Sequence, residues 1–219
     1  MEEPKGRKRK GTNRRRVYAL TEIALMSAVF CVLAPISMPI PFSPVPITFG
    51  TFVLYLAATV LGYKKGTISV AVYLLIGLAG LPVFSGFTAG FTKLIGPGGG
   101  YMIGYLPAAL LIGWLADKVM KQENVDGKQG RQGVRMAGIL VCGAVLCYTF
   151  GTVWFLIVMD GTYTIGQAFF VCVLPFLPFE LIKIVLASVI ALPVKQKLKR
   201  AGLLEAEECK ENWNDRTRI

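Results

Sequence analysis

The chain has 219 residues, of which 54% are hydrophobic and 17% are charged, and its formal net charge is +11. Soluble domains carry about a quarter charged residues. The apolar excess lies in long runs without charge, so the composition indicates an integral membrane protein. His is absent and none of the five Cys forms a CxxC pair, which excludes a His-based catalytic triad and leaves no expected metal site.

Residues 1–16 form a basic segment that we expect to be a disordered cytoplasmic tail beside anionic lipid. The first membrane helix is predicted over residues 17–38. It carries Ala24 and Ala28 four residues apart, and this small-xxx-small spacing lets another helix approach closely, within this protein or in a partner. Four prolines follow in the next ten residues, so this stretch is predicted to be an extended turn.

Two short helices are predicted next, over about residues 48–62 and 67–80, joined by a basic turn at 63–66. Both are shorter than the roughly 20 residues that cross a bilayer of about 30 Å. We therefore expect adjacent loops to dip into the membrane and to line a cavity. The following segment, residues 81–101, is rich in Gly and Pro and is predicted to be a loop or re-entrant segment.

The second half of the chain predicts three further membrane segments, over about residues 100–116, 136–159 and 167–194, the last interrupted by prolines. A polar loop spans residues 117–135. Residues 195–219 are predicted to be a polar cytoplasmic tail. The predicted fold is therefore an all-α integral membrane protein with one membrane domain over residues 17–194.

The distribution of positive charge supports six spans with both termini in the cytoplasm. All but two of the 24 Lys and Arg residues lie in segments that this topology places on one side, as the positive-inside rule requires. The charge is therefore attributed to topology and not to nucleic-acid binding. The two exceptions are Lys93 and Lys183.

Glu180 and Lys183 lie three residues apart in an apolar segment, so on a helix their side chains share a face. They form either a structural ion pair or a ligand site, and charges are costly enough in a membrane to favour the second. The carboxylate would accept from N–H donors, and the ammonium would donate to a carbonyl or carboxylate group.

Lys93 precedes the glycine-rich turn at residues 96–100, whose backbone N–H groups favour an anion such as a ligand carboxylate. The lysine side chain could instead extend to the outer water. Aromatic residues nearby could line a ligand or face lipid. The candidate ligand-binding residues are Ser85, Lys93, Gly98, Gly99, Gly100, Tyr101, Glu180 and Lys183.

Four motifs, PVPIT at 44–48, GLPVFSG at 80–86, GPGGGYMIGY at 96–105 and PFELIK at 178–183, resemble the BioY family in order and spacing. Members of that family are biotin-binding substrate subunits (S-components) of energy-coupling factor (ECF) transporters. The resemblance extends from about Ala19 to Leu192.

The resemblance implies a six-helix protein of the bacterial plasma membrane that holds biotin near its outer face. It implies docking through Ala24 and Ala28 on a transmembrane coupling subunit driven by two ATPase subunits, so that this chain itself needs no cofactor. It also implies that Glu180 and Lys183 engage the ligand. The family usually has Asp at position 180, Thr at position 98 and often Gln at position 50, where this chain has Glu180, Gly98 and Gly50.

Two other classes of function are compatible with the residues alone. Ser85 with Lys93 or Lys183 as its base would give an intramembrane hydrolase. Glu180 as a proton relay would give a carrier that works without an ATPase, although the sequence shows no inverted repeat of the kind that many such carriers have.

Overall fold

The computed structural model of the chain describes residues 5–41, 43–126 and 132–200. In these ranges helices dominate, and a two-stranded antiparallel sheet follows the first helix. A 3-10 turn, Leu174–Phe176, separates the last two helices. In chain order the other elements are α1 (Lys5–Leu33), β1 (Ser37–Ile40), β2 (Ser43–Thr48), α2 (Gly50–Leu78), α3 (Phe91–Ile95), α4 (Gly99–Asp126), α5 (Gln132–Val158), α6 (Ile165–Cys172) and α7 (Leu177–Arg200).

Helix α2 consists of two helical segments joined at Gly62, whose φ of +75° favours glycine. A Cβ placed on Gly66 would lie 2.8 Å from the carbonyl oxygen of Ala57, although nine residues of straight helix would separate these positions by about 13 Å. The chain therefore reverses at Gly62, and residues 50–61 and 63–78 form an antiparallel pair. The sequence predicted both helices but placed the turn just after Gly62, in a stretch that is helical.

Five helical segments in the described ranges are long and apolar enough to cross a membrane. One of them is α2, which contains the reversal, so the bundle has six helical segments. The predicted helical membrane fold is confirmed at this level. The small β-sheet was not predicted.

Helix α1 differs from its prediction at both ends. It begins at Lys5, inside the segment predicted to be a disordered tail, because Lys and Arg are good helix formers. It ends at Leu33 and not at residue 38, since Pro35 and Pro39 lack the N–H groups that a helix needs. Residues 1–4 lie outside the described residues.

The proline-rich stretch after α1 is a β-hairpin. Ser37 pairs with Thr48 and Ile40 with Ser43 across β1 and β2. The prediction of an extended conformation was correct, but the strand pairing is set by contacts that the sequence does not reveal. The hairpin packs on α5 and α6 through two buried aliphatic side chains, Val45 and Ile47.

Helices α4 and α7 both extend beyond their predicted C-terminal ends. Helix α4 ends at Asp126 and not at residue 116, and α7 ends at Arg200 and not at residue 194. Hydropathy marks where the apolar segment ends, whereas Lys, Glu and Gln continue the helix into polar surroundings. The rest of the predicted loop, residues 127–131, and the predicted tail from residue 201 onward lie outside the described residues.

Helix α2 packs against α1, α4 and α7. Two ion pairs hold these helices together near the reversal of α2: Lys65 Nζ lies 2.9 Å from Glu22 Oε2, and Lys195 Nζ lies 2.8 Å from Asp117 Oδ1. The second oxygen of Asp117 accepts from the backbone N–H of Tyr63 at 3.4 Å. These contacts fix one end of the bundle, while the cavity described next involves the hairpin and the 81–101 segment.

Candidate ligand-binding site

The break between α6 and α7 places Glu180 in the first turn of α7. Pro175 lies in the 3-10 turn and Pro178 lies at the start of α7, where a proline is tolerated because the first N–H groups of a helix have no partner within it. The positive end of the helix dipole favours a carboxylate in this first turn. Lys183 follows one turn later on the same face.

Four side chains donate hydrogen bonds to the Glu180 carboxylate. Oε1 accepts from the hydroxyl of Tyr55. Oε2 accepts from Lys183 and Tyr148, each at 3.2 Å, and from Thr51 at 3.4 Å. Helices α2, α5 and α7 thus converge on a single carboxylate.

Glu180 and Lys183 are both buried, with 3% and 8% of their surface exposed. Lys183 donates to Thr51 at 3.0 Å as well as to Glu180. Since an ammonium group has three N–H donors, one donor of Lys183 is available to a further acceptor. The two opposite charges offset each other, so the pair carries no net charge.

Both residues lie in the wall of a cavity with a volume of about 130 Å³. One water needs only about 10–15 Å³ by this measure, so the cavity has the capacity for a small organic molecule. The wall comes from β2, α2, α4, α5, α7, the 3-10 turn and the 81–101 segment. Its members are Ala34, Pro44, Val45, Pro46, Thr48, Thr51, Tyr73, Ser85, Thr92, Lys93, Gly96, Pro97, Gly98, Tyr101, Met102, Tyr105, Cys147, Tyr148, Phe176, Glu180 and Lys183.

The 81–101 segment contributes a second cation, Lys93, which is half-buried. In the described part of the chain Lys93 makes neither a hydrogen bond nor an ion pair, so its ammonium is free to bind an anion. The turn beside it is held by Trp154, whose Nε1 donates to the Gly96 carbonyl at 3.2 Å. Gly86 N–H donates to the Pro35 carbonyl at 3.0 Å, which ties the same segment to the start of the hairpin.

The cavity therefore combines a carboxylate–ammonium pair, a separate ammonium and a largely aromatic and aliphatic wall. Such a site suits a small molecule with N–H donors and a carbonyl acceptor, and with an anionic group elsewhere. Ligand sites are typically apolar clefts with a few polar groups that fix orientation.

A sequence profile of the BioY family matches residues 7–200. The chain belongs to the BioY family. It is 38% identical over 177 residues to "Biotin transporter BioY" of Thermotoga maritima, an alignment that covers 81% of this chain and 95% of the relative. It is 31% identical over 189 residues to "Biotin transporter BioY2" of Lactococcus lactis, with 85% of this chain and 95% of the relative covered.

The fold is also similar to a crystal structure of the S-component for biotin from an ECF-type ABC transporter. The TM-score is 0.72 and the sequence identity is 30%, over 85% of this chain and 94% of the other. These matches confirm the resemblance to the BioY family that the four sequence motifs indicated.

The motifs that resemble BioY all contribute to the cavity wall. Six of the eight candidate residues line it: Ser85, Lys93, Gly98, Tyr101, Glu180 and Lys183. Gly99 and Gly100 do not. A Cβ on Gly99 would lie 1.6 Å from the Leu94 carbonyl oxygen, and one on Gly100 would lie 2.2 Å from Trp154 Cβ. These two glycines permit close packing at the start of α4.

Of the aromatic residues in the 81–101 segment, Tyr101 lines the cavity. Phe84 is buried with its ring edge-on to Tyr73, at a centroid distance of 5.7 Å. Phe87 and Phe91 are 68% and 65% exposed. Tyr101 thus lines the cavity and Phe84 packs in the core, while a lipid-facing role for Phe87 and Phe91 stays a prediction.

Two of the three departures from the usual BioY pattern, Glu180 and Gly98, lie in the cavity wall. The third has a packing explanation. A Cβ on Gly50 would lie 2.6 Å from the hydroxyl oxygen of Tyr105. Glycine at this position therefore lets Tyr105 occupy part of the wall.

Ala24 and Ala28 are exposed on α1, so their small side chains do not pack within this chain. Apolar residues surround them on the same helix, among them Leu25 and Val32, which are 67% and 68% exposed. Their exposure in the described part of the chain gives no support to the first reading of the small-xxx-small spacing, packing within the protein. Docking on a partner stays a prediction.

Three residues that contact Glu180 were missed by the sequence analysis. Thr51 and Tyr55 lie four residues apart and so share a face of α2, which was the available signal. Tyr148 lies in an apolar helix and gave no signal. Their roles follow from the approach of three helices in space.

Ser85 lines the cavity, but its Oγ makes no hydrogen bond to Lys93 or Lys183 in the described chain. Lys183 instead donates to Thr51 and Glu180. A serine nucleophile needs a base within hydrogen-bonding reach. This geometry disfavours the hydrolase. Membership of the BioY family supports the same conclusion, because BioY proteins are transporters and not enzymes.

Proposed function

We propose that this chain binds biotin in the cavity and acts as the S-component of an ECF-type transporter in the bacterial plasma membrane. The observation that carries the proposal is the buried Glu180–Lys183 pair in the wall of a largely apolar cavity. The names of the relatives and the structural similarity support it.

Biotin carries a cyclic urea with two N–H donors and one carbonyl acceptor. In the proposed pose an N–H group donates to Glu180 Oε2, and the remaining donor of Lys183 reaches the carbonyl oxygen. The fused rings and the aliphatic chain lie against apolar wall residues such as Met102 and Phe176. The carboxylate of the chain pairs with Lys93 and with backbone N–H groups at the turn around Gly98.

The proposed topology has both termini in the cytoplasm, because the positively charged tails and loops then lie on the inner side. The reversal of α2 near Lys65 then faces the cytoplasm, and the cavity opens toward the outer face. Biotin is captured there and released inward.

The proposed partners are a transmembrane coupling subunit and two ATPase subunits, which use ATP, so that this chain needs no cofactor. The exposed face of α1 around Ala24 and Ala28 is the proposed docking surface, since small side chains allow close helix packing. In proteoliposomes, uptake should require the ATPase subunits; uptake by this chain alone would favour the stand-alone carrier.

Equilibrium binding of labelled biotin to the purified protein in nanodiscs tests the ligand. Glu180→Ala and Lys183→Ala should each abolish measurable binding while the protein is still expressed and folded. Lys118→Ala is the matched control, since this lysine lies over the Trp114 ring, 3.6 Å from its centroid, away from the cavity. Wild-type affinity in both site variants would contradict the proposal.

A further inference from the structure

Tyr55 is fully buried and is not part of the cavity wall. Its hydroxyl donates to Oε1 of Glu180, whereas the other three donors, Lys183, Tyr148 and Thr51, all reach Oε2. Among the described residues, Tyr55 thus supplies the one hydrogen bond that Oε1 receives.

The bond to Oε1 fixes the plane of the Glu180 carboxylate. The terminal torsion of a glutamate is broad when nothing restrains it. Donors on both oxygens, Tyr55 on Oε1 and three other side chains on Oε2, remove this freedom before a ligand arrives. Preorganised acceptors bind a donor more tightly because less conformational freedom is lost on binding.

The hydrogen bonds to Oε2 lie in the cavity wall, so a ligand can replace their donors. A ligand N–H that approaches Oε2 competes with the hydroxyls of Tyr148 at 3.2 Å and Thr51 at 3.4 Å. The contact from Tyr55 lies behind the carboxylate and is out of reach of the ligand. It can therefore persist while the donors on the cavity side rearrange.

We propose that Tyr55 is a positioning residue that sets the selectivity of the site for a ligand N–H donor by holding Glu180, without touching the ligand. The inference rests on the proposed function, because it takes the cyclic urea of biotin as the donor. It predicts that loss of the Tyr55 hydroxyl weakens the preference for biotin over an analogue without the N–H group that faces Glu180. It does not predict an equal loss of affinity for all ligands.

The test compares wild-type protein with Tyr55→Phe, which removes one hydroxyl and keeps the buried ring. The probes are biotin and the two cyclic carbamate analogues in which oxygen replaces one or the other urea N–H. Wild-type protein should prefer biotin over the analogue that lacks the N–H facing Glu180. In Tyr55→Phe the affinity for biotin should fall by roughly 10- to 100-fold, as expected for a lost bond to a charged group.

The affinity of Tyr55→Phe for the analogue that lacks the N–H facing Glu180 should fall by less than about threefold, because that analogue does not use the contact. The preference for biotin over this analogue therefore shrinks. Tyr163→Phe is the matched control, because this half-buried ring contacts Phe155 at a centroid distance of 5.2 Å and is not in the cavity wall. It should leave both affinities unchanged. Binding to isolated native membranes gives a second measurement if the variant does not survive purification.

An equal fall for biotin and both analogues would overturn the inference, because it would show a general structural role. Unchanged biotin affinity in Tyr55→Phe would overturn it as well. Both results leave the proposed function intact, provided that wild-type protein binds biotin. Wild-type protein that fails to bind biotin would overturn the proposed function and this inference with it.

Discussion

Replacing Lys183 with Met should lower the free energy of unfolding of the ligand-free protein by about 3 kcal/mol. The lysine side chain is 10% exposed and contacts both Glu180 and Thr51, so its loss leaves a buried carboxylate without its counter-charge. Removing one member of a buried ion pair costs about 3–5 kcal/mol. The lower end applies here because Tyr55, Tyr148 and Thr51 still donate to the carboxylate.

Replacing both members should recover most of that loss. In the double variant, Glu180→Gln with Lys183→Met, no charge stays buried. The Gln amide can keep both tyrosine contacts, because its oxygen accepts from one hydroxyl and its NH2 group donates to the oxygen of the other. Neutral replacement of a buried ion pair is often tolerated. We therefore expect the double variant to lie within about 1 kcal/mol of wild type, although biotin binding should be abolished in both variants.

The measurement is reversible unfolding in mixed detergent micelles, followed by the fluorescence of the three Trp residues, with biotin binding measured in parallel. Lys118→Met at the surface of α4 is the control and should change stability little. Glu180→Gln alone is the second single variant. A double variant as unstable as the summed losses of Lys183→Met and Glu180→Gln would refute the reasoning, because the two charges would then act independently.

Gly66→Ala should destabilise the helical pair of α2 by about 2 kcal/mol in the same assay, since the new Cβ would lie 2.8 Å from a carbonyl oxygen of the facing segment. Gly138→Ala on α5, where nothing lies within 4 Å, should be neutral or slightly stabilising; equal effects of the two would contradict this packing. Trp154→Phe removes the hydrogen bond that holds the glycine-rich turn, and we expect biotin to dissociate about tenfold faster. An unchanged dissociation rate would mean that the turn does not restrain the ligand. Ala24→Trp should retain biotin binding but abolish ATP-driven uptake, whereas Val153→Trp on the exposed face of α5 should retain both, and normal uptake in the first would exclude docking at that face.

The charged part of the candidate site was predictable from the sequence because charge is costly inside a membrane. Glu180, Lys183 and Lys93 stand out in apolar or glycine-rich surroundings, and all three line one cavity. Tyr148 was not predictable, since tyrosines are common in membrane helices and it stands in no distinctive motif. The spacing of Thr51 and Tyr55 puts them on one face of α2 but does not show that this face meets Glu180. Their function depends on which helices face Glu180, and that is settled only by packing.

The sequence alone determined the membrane character, the six helical segments, the family and the charged members of the site. These features depend on hydropathy, on local backbone preferences and on motifs, which act over neighbouring residues. The tertiary structure decided where α2 reverses, that the proline-rich stretch pairs as a hairpin, and that Gly99 and Gly100 pack closely against Leu94 and Trp154. It also decided that four donors from three helices converge on one carboxylate. Such features depend on contacts between residues far apart in the chain, as between Tyr55 and Glu180, and no local pattern encodes them.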